Sequence, residues 1–258
     1  KNVQGPTMRY LILVIAMIFN LTLHAQTVFS EKPTWEDSFD GKKVDQTLWN
    51  INKRLGGSKR VYYTGDNKRN VYVKRGKLNI VIRKENVDGA TTTSSYLSSK
   101  REFKCGKFEF RVRCSNLAGL WPTIWMRGYK SYPIGGEIDI LEYISCMGKT
   151  NFQANFHVWR KGVKSSEQHA KKIPIDITKW HTYTFEWLPN EMRILVDGTL
   201  YHSLKKSEVK DWPFNNDGYH FDVTVGTGGW AESCGTAYDR LPAKMQVDWV
   251  KYYDYIGK

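Results

Sequence analysis

Three carboxylates fall within six residues in the run Gly135-Gly136-Glu137-Ile138-Asp139-Ile140-Leu141-Glu142, whose other positions are β-forming aliphatics behind two glycines. Strand interiors normally exclude charge, so this run needs a chemical reason. Successive side chains of a strand alternate faces, which puts Glu137 and Asp139 on one face and Ile138 and Ile140 on the other. Glu142 then has the wrong parity. One extra residue inserted near Ile140 or Leu141, a β-bulge, would return it to the face of the other two acids. Such a row suits cleavage of a glycosidic bond, with one Glu as nucleophile, one as proton donor, and Asp139 between them tuning both. The plainer alternative is an edge strand whose acids face water and discourage aggregation.

The elements that would carry this row are strands almost throughout. The clearest is 107–113, where Phe108, Phe110 and Val112 point one way and Lys107, Glu109, Arg111 and Arg113 the other, the pattern of a half-buried antiparallel strand. Further strands are expected at 35–39, 70–73, 77–84, 123–127, 137–143, 153–159, 181–188, 191–196, 221–226 and 245–253. Arg75-Gly76 and Asp197-Gly198 read as hairpin turns. Residues 45–49 read as a turn or short helix, 54–59 as a basic loop, and 90–99, rich in Thr and Ser, as a loop leading into a strand near Tyr96. No segment holds a helical period for long, and 207–210 is at most a short helix. Many short strands separated by turns predict an all-β chain of two packed antiparallel sheets, a sandwich or a jelly roll. With no Pro-, Gly- or Ser-rich linker and no internal repeat, residues 26–258 are expected to form a single domain.

Residues 1–25 carry the marks of a removable export signal: the basic Arg9 after Met8, an apolar stretch at 10–23, and Leu23-His24-Ala25 as a cleavage site, with residues 1–7 lying upstream of the expected initiator. The apolar stretch is too short to favour a membrane span. A secreted or periplasmic protein is expected. The chain of 258 residues carries a net charge of +13. Lys and Arg are scattered rather than gathered on one arm, and an exported protein seldom meets nucleic acid, so an anionic glycan is the better partner for that charge. A solvated basic surface without a specific partner is the competing reading. Cys105, Cys114, Cys146 and Cys234 allow one or two disulfides, with all pairings open, or four free thiols. Their spacing does not suit zinc.

Several of these runs together resemble glycoside hydrolase family 16 in the form with a bulged acid strand. Besides Glu137-Ile138-Asp139-Ile140-Leu141-Glu142, the similar segments are Gly119-Leu120-Trp121-Pro122-Thr123-Ile124-Trp125-Met126, Glu186-Trp187, Val196-Asp197-Gly198-Thr199-Leu200-Tyr201 and Val247-Asp248-Trp249-Val250. The similarity spans nearly all of residues 35–253. It implies two curved sheets with an open cleft on the concave face, and endo-acting hydrolysis with retention of configuration. Glu137 would be the nucleophile, Asp139 the assisting carboxylate and Glu142 the acid/base. Retaining chemistry needs carboxyls about 5–5.5 Å apart, whereas four strand steps separate backbones by roughly 13 Å, so the Glu side chains must lean together.

The same resemblance offers substrate contacts. Trp121 and Trp125 share parity and could stack on sugar rings, with core packing as the alternative. Trp230, after a glycine-rich turn, would wall the cleft, and His157 would lie near the acid/base unless it is structural. Tyr143 is expected in the core. Glu36 and Asp248 are the nearest equivalents of a structural calcium site, although calcium wants six or more oxygens. No organic cofactor is implied. Where laminarinases carry an Asn-Glu-Leu-Gln-like run, this chain has Ser58-Lys59-Arg60-Val61, and Arg127 follows the Trp-Met pair. Arg60 and Arg127 thus shift the expected substrate from β-1,3-glucan towards a galactose-containing or anionic glycan such as agar, porphyran or poly-N-acetyllactosamine. A monomer is expected. The competing functions are a non-catalytic carbohydrate-binding jelly roll and a basic nucleic-acid binder, which would show steeply salt-dependent affinity.

Overall fold

A computed structural model describes residues 28–128, 134–215 and 217–257. The expected export signal lies outside the described residues. The chain opens with β1 (Trp35–Asp37), β2 (Trp49–Ile51), β3 (Lys53–Leu55), β4 (Val61–Thr64) and β5 (Val71–Val73). Next come β6 (Leu78–Val87), β7 (Ala90–Ser94), β8 (Tyr96–Ser99) and β9 (Gly106–Cys114). The middle holds β10 (Leu120–Arg127), β11 (Ile134–Glu142), β12 (Phe152–Arg160) and β13 (Glu167–Ile173). The remainder is β14 (His181–Leu188), β15 (Glu191–Val196), β16 (Thr199–Lys205), β17 (His220–Thr227) and β18 (Ala243–Asp254).

These strands form the two sheets of a jelly-roll sandwich. Seven of them run in the order β13-β12-β11-β10-β17-β8-β2, and eleven form the opposing sheet around β14-β9-β18-β6. All pairs are antiparallel except β4 with β7, which run parallel. The alternation on β9 survives intact: Phe108, Phe110 and Val112 are fully buried. Phe108 stacks on Phe221 of β17 at 5.2 Å between centroids, joining the two sheets across the core. Each such ring contributes about 1.5–3 kcal/mol by leaving water.

The acid strand β11 sits near the middle of the seven-stranded sheet, between β10 and β12. Its Ile138, Ile140 and Leu141 are buried in the core, which anchors the strand from behind. Gly136 is required there, because a Cβ at that position would collide with Tyr219 and Phe214. Asp197-Gly198 has positive φ at both positions, 48° and 79°, the geometry that closes a two-residue hairpin between β15 and β16.

Some sequence expectations differ from the structure. Arg54 and Leu55, expected in a basic loop, belong to the strand Lys53–Leu55, and Trp49 begins β2 rather than ending a turn or helix. Residues 90–94 form β7 instead of a loop. Its Thr92, Thr93 and Ser94 are polar yet buried, and Thr92 is satisfied by the Arg60 carbonyl and by Thr227, so hydropathy carries no strand signal. β13 escaped notice because it is an edge strand with little apolar alternation. Residues 207–210 resolve as a 3-10 turn at Lys206–Glu208.

Candidate active site

The bulge lies where parity requires it. Opposite β10, Ile124 pairs with Leu141 but Trp125 pairs with Asp139, leaving Ile140 as the extra residue. Opposite β12, Asp139 pairs with Asn155 and the next partner is Glu142 with Gln153. Glu137, Asp139 and Glu142 consequently share the cleft face. The cleft has two lobes, of about 540 Å³ and 440 Å³, and all three acids line both. Another cavity, of about 330 Å³, is lined by Arg113, Arg240 and Lys244 and has no acid in its wall.

Glu142 is buried, at 8% exposure, and accepts hydrogen bonds from Trp121 Nε1 at 3.0 Å and Gln153 Nε2 at 3.2 Å. Burial and then the charge of Asp139 raise its pKa to about 8, outweighing the Trp121 bond that pulls it down. Glu142 is therefore protonated at neutral pH. Burial, followed by the neighbouring Glu137, also holds Asp139 well above the usual carboxylate range. Asp139 Oδ2 meets His157 Nε2 at 2.8 Å. Burial lowers the His157 pKa, so the ring is a neutral bridge rather than a cation. Its Nδ1 lies 2.6 Å from Ser166 Oγ.

Glu137 is the most open of the three. It accepts from Trp159 Nε1 at 3.2 Å, and the Arg127 Nε stands 3.8 Å away. Arg127 also lies over the Trp159 ring at 5.8 Å, and Trp159 stacks on His157 at 5.9 Å. The opposite wall is aromatic. Trp121 and Trp230 meet edge to face at 5.9 Å, and Trp230 is 41% exposed. Trp125 lines the larger lobe while packing on Tyr96. The Cys146–Cys234 disulfide, with Cα atoms 5.2 Å apart, ties the turn after β11 to the segment carrying Trp230. Cys105 and Cys114 are thiols.

Among the expected site residues, the fold brings together Glu137, Asp139, Glu142, His157, Trp121, Trp125, Arg127 and Trp230. It does not bring Arg60, which turns to Glu232 at 3.3 Å and is absent from the cleft lining. The calcium pair does not fit either. Asp248 is held by Lys77 at 2.9 Å and by Arg111 at 3.9 Å, and Glu36 stands opposite Lys251. Two acids beside three cations do not make an oxygen-rich calcium cage. Glu137, Asp139 and His157 do place donor atoms within 4.8 Å of one another, but they are the acid row itself. Sequence reading missed Trp159, Gln153, Ser166 and Arg54 as individual contacts. Trp159 and Gln153 share parity with His157 on the expected strand 153–159, which was a usable signal. Ser166 lies in the connection beyond β12 and offered none.

The profile of Glycosyl hydrolases family 16 matches residues 58–251. The chain is 29% identical over 247 residues to a β-glucanase of Rhodothermus marinus, covering 86% of this chain and 85% of that one. It is 27% identical over 238 residues to a keratan-sulfate endo-1,4-β-galactosidase of Sphingobacterium multivorum, across 85% of this chain and 54% of that protein. The X-ray structure of the laminarinase from Rhodothermus marinus superimposes with a TM-score of 0.77 at 28% identity, covering 88% of this chain and 98% of that one.

Proposed function

Because the chain belongs to glycosyl hydrolase family 16 and is an endo-β-glycosidase, we propose that Glu137, Asp139 and Glu142 cut internal bonds of a β-linked glycan with retention of configuration. The observation that carries this reading is the bulge at Ile140, which aligns the three acids where two cleft lobes meet. A polymer can then extend on both sides of the scissile bond.

Protonated Glu142 gives its proton to the glycosidic oxygen while Glu137 attacks the anomeric carbon, forming a glycosyl ester and releasing the leaving chain. Ionised Glu142 next takes a proton from water, and that water attacks the anomeric carbon and frees Glu137. Asp139, with His157 behind it, adjusts the charge between the two glutamates. The displacement needs only water as co-reactant. Trp121, Trp125, Trp159 and Trp230 supply apolar faces for sugar rings, and Arg127 braces Glu137.

The glycan is a β-1,3-glucan or a β-galactoside-containing chain such as agar, porphyran, keratan sulfate or mucin-type poly-N-acetyllactosamine. The two relatives described above, a β-glucanase and a keratan-sulfate β-galactosidase, support both ends of that range. Cleft-lining Arg54 and Arg127 favour the second. The protein acts as a secreted or periplasmic monomer. Mass spectrometry of products from laminarin, mixed-linkage glucan, agar, porphyran, keratan sulfate and mucin glycans tests the reading. Oligosaccharides whose formation is lost in Glu137→Gln are the expected result. Full hydrolysis by that variant would overturn the assignment.

A further inference from the structure

Among the described residues, Arg54 lines the cleft without a salt bridge to any acid. It stands on β3, an edge strand of the larger sheet, yet it lines the larger cleft lobe with Tyr63, Tyr96, Trp125 and Thr224. Its guanidinium lies 5.0 Å from the centroid of the Tyr96 ring. Among the described residues, no hydrogen bond or ion pair joins it to an acid. The two arginines that the sequence suggested for the substrate are engaged, Arg60 with Glu232 and Arg127 with Glu137.

The floor beneath Arg54 explains its pose. Tyr96 Oη donates to Asp222 Oδ2 at 2.8 Å, and Asp222 is fully buried. Ser98 and Tyr96 hydrogen-bond to this carboxylate, and the positive charge of Arg54 favours its ionised form. Negative charge at the hydroxyl end of the ring strengthens attraction of a cation to its face. A guanidinium over an aromatic face keeps its in-plane N–H groups for other partners, and that fork suits planar or tetrahedral anions. Trp125 stands opposite Asp222 in the register and tilts against Tyr96 at 6.4 Å, so it gives an adjacent platform for a sugar ring. Tyr96, Thr224, Thr123 and Glu142 follow one another across β8, β17, β10 and β11. Three strand spacings, roughly 14 Å, separate the backbone of Tyr96, on whose ring Arg54 lies, from that of the acid/base. The group it would read therefore belongs to a sugar beyond the one being cleaved.

We propose that Arg54, seated on Tyr96 above Asp222, forms a subsite for an anionic substituent, a sulfate ester or a carboxylate, on a sugar resting against Trp125. The subsite rests on the endo-β-glycosidase reading above and narrows it to charged chains.

The test measures kcat/KM for polymers in matched pairs: porphyran and keratan sulfate beside their chemically desulfated forms, and sialylated mucin O-glycans beside sialidase-treated ones, with laminarin as the neutral reference. The wild-type protein is expected to prefer the charged member of one pair by about tenfold or more, the size of a hydrogen-bonded contact to a charged group. Which pair responds separates sulfate from carboxylate. Arg54→Ala should bring that ratio close to one, and Arg54→Lys should keep part of it. Equal turnover within every pair, a ratio untouched by Arg54→Ala, or cleavage of laminarin alone would overturn the subsite. Absence of hydrolysis on every polymer would instead defeat the enzymatic reading beneath it.

Discussion

The Nε2 atom of His157 lies 2.8 Å from Oδ2 of Asp139, and the opposite ring nitrogen reaches Ser166. A neutral imidazole between these groups donates through one nitrogen and accepts through the other, so Ser166 biases the tautomer that faces Asp139. Glu137, Asp139 and Glu142 surround the ring from β11, and Gln168 of β13 stands opposite it. Ser166→Ala is expected to lower kcat several-fold at constant KM, with Ser166→Thr restoring it. A rise in KM alone would show that Ser166 only shapes the cleft.

Glu142 should set the alkaline limb of the rate profile. Its pKa of about 8 keeps it protonated through neutrality, so activity is expected to fall as pH rises through that value. Glu142→Gln should cost roughly 10²–10⁴-fold in kcat on unactivated glycans and far less on aryl glycosides, whose leaving groups need little protonation. An equal loss on both substrate types would contradict the acid role.

Folding stability should carry the same titration. The Glu142 carboxyl binds its proton more tightly when folded than at its ordinary 4.5, so its contribution is fully present below that pH and lost as pH rises through about 8. The melting temperature of wild type minus that of Glu142→Gln is expected to fall from roughly pH 5 to roughly pH 9. A flat difference would mean that the buried acid does not titrate as its surroundings require.

Trp121 donates to the ionised form of Glu142 and thereby pulls its pKa down. Trp121→Phe keeps an aromatic wall but removes the donor. The alkaline limb should move to higher pH in that variant, and a move to lower pH would refute the hydrogen bond's effect.

The Cys146–Cys234 bridge closes a sequence separation of 88 residues and holds Trp230 against Trp121. Replacing both cysteines with Ser should destabilise the fold by about 2–4 kcal/mol in chemical denaturation. KM should rise more than kcat falls, because the wall moves while the acids stay on β11. A purely kcat-borne loss would place the effect on the acid row instead.

Much of the fold and site was legible in the chain itself. The alternation of Phe108, Phe110 and Val112, the Asp197-Gly198 turn and the parity conflict at Glu142 are local facts, because a strand's face is set by its own two-residue period. They determined an all-β sandwich and an acid row that needs a bulge. The tertiary structure alone decided which residue is extruded, which cysteines meet and which cations reach the cleft. Arg60 and Glu232 stand 172 positions apart, and Tyr96 and Asp222 stand 126 apart. Such partners are brought together by the pairing order of strands and by burial of polar groups, neither of which leaves a period in the sequence. The subsite proposed at Arg54 is hidden in the sequence for that reason: its parts meet only once β3, β8 and β17 are assembled around Tyr96 and Asp222.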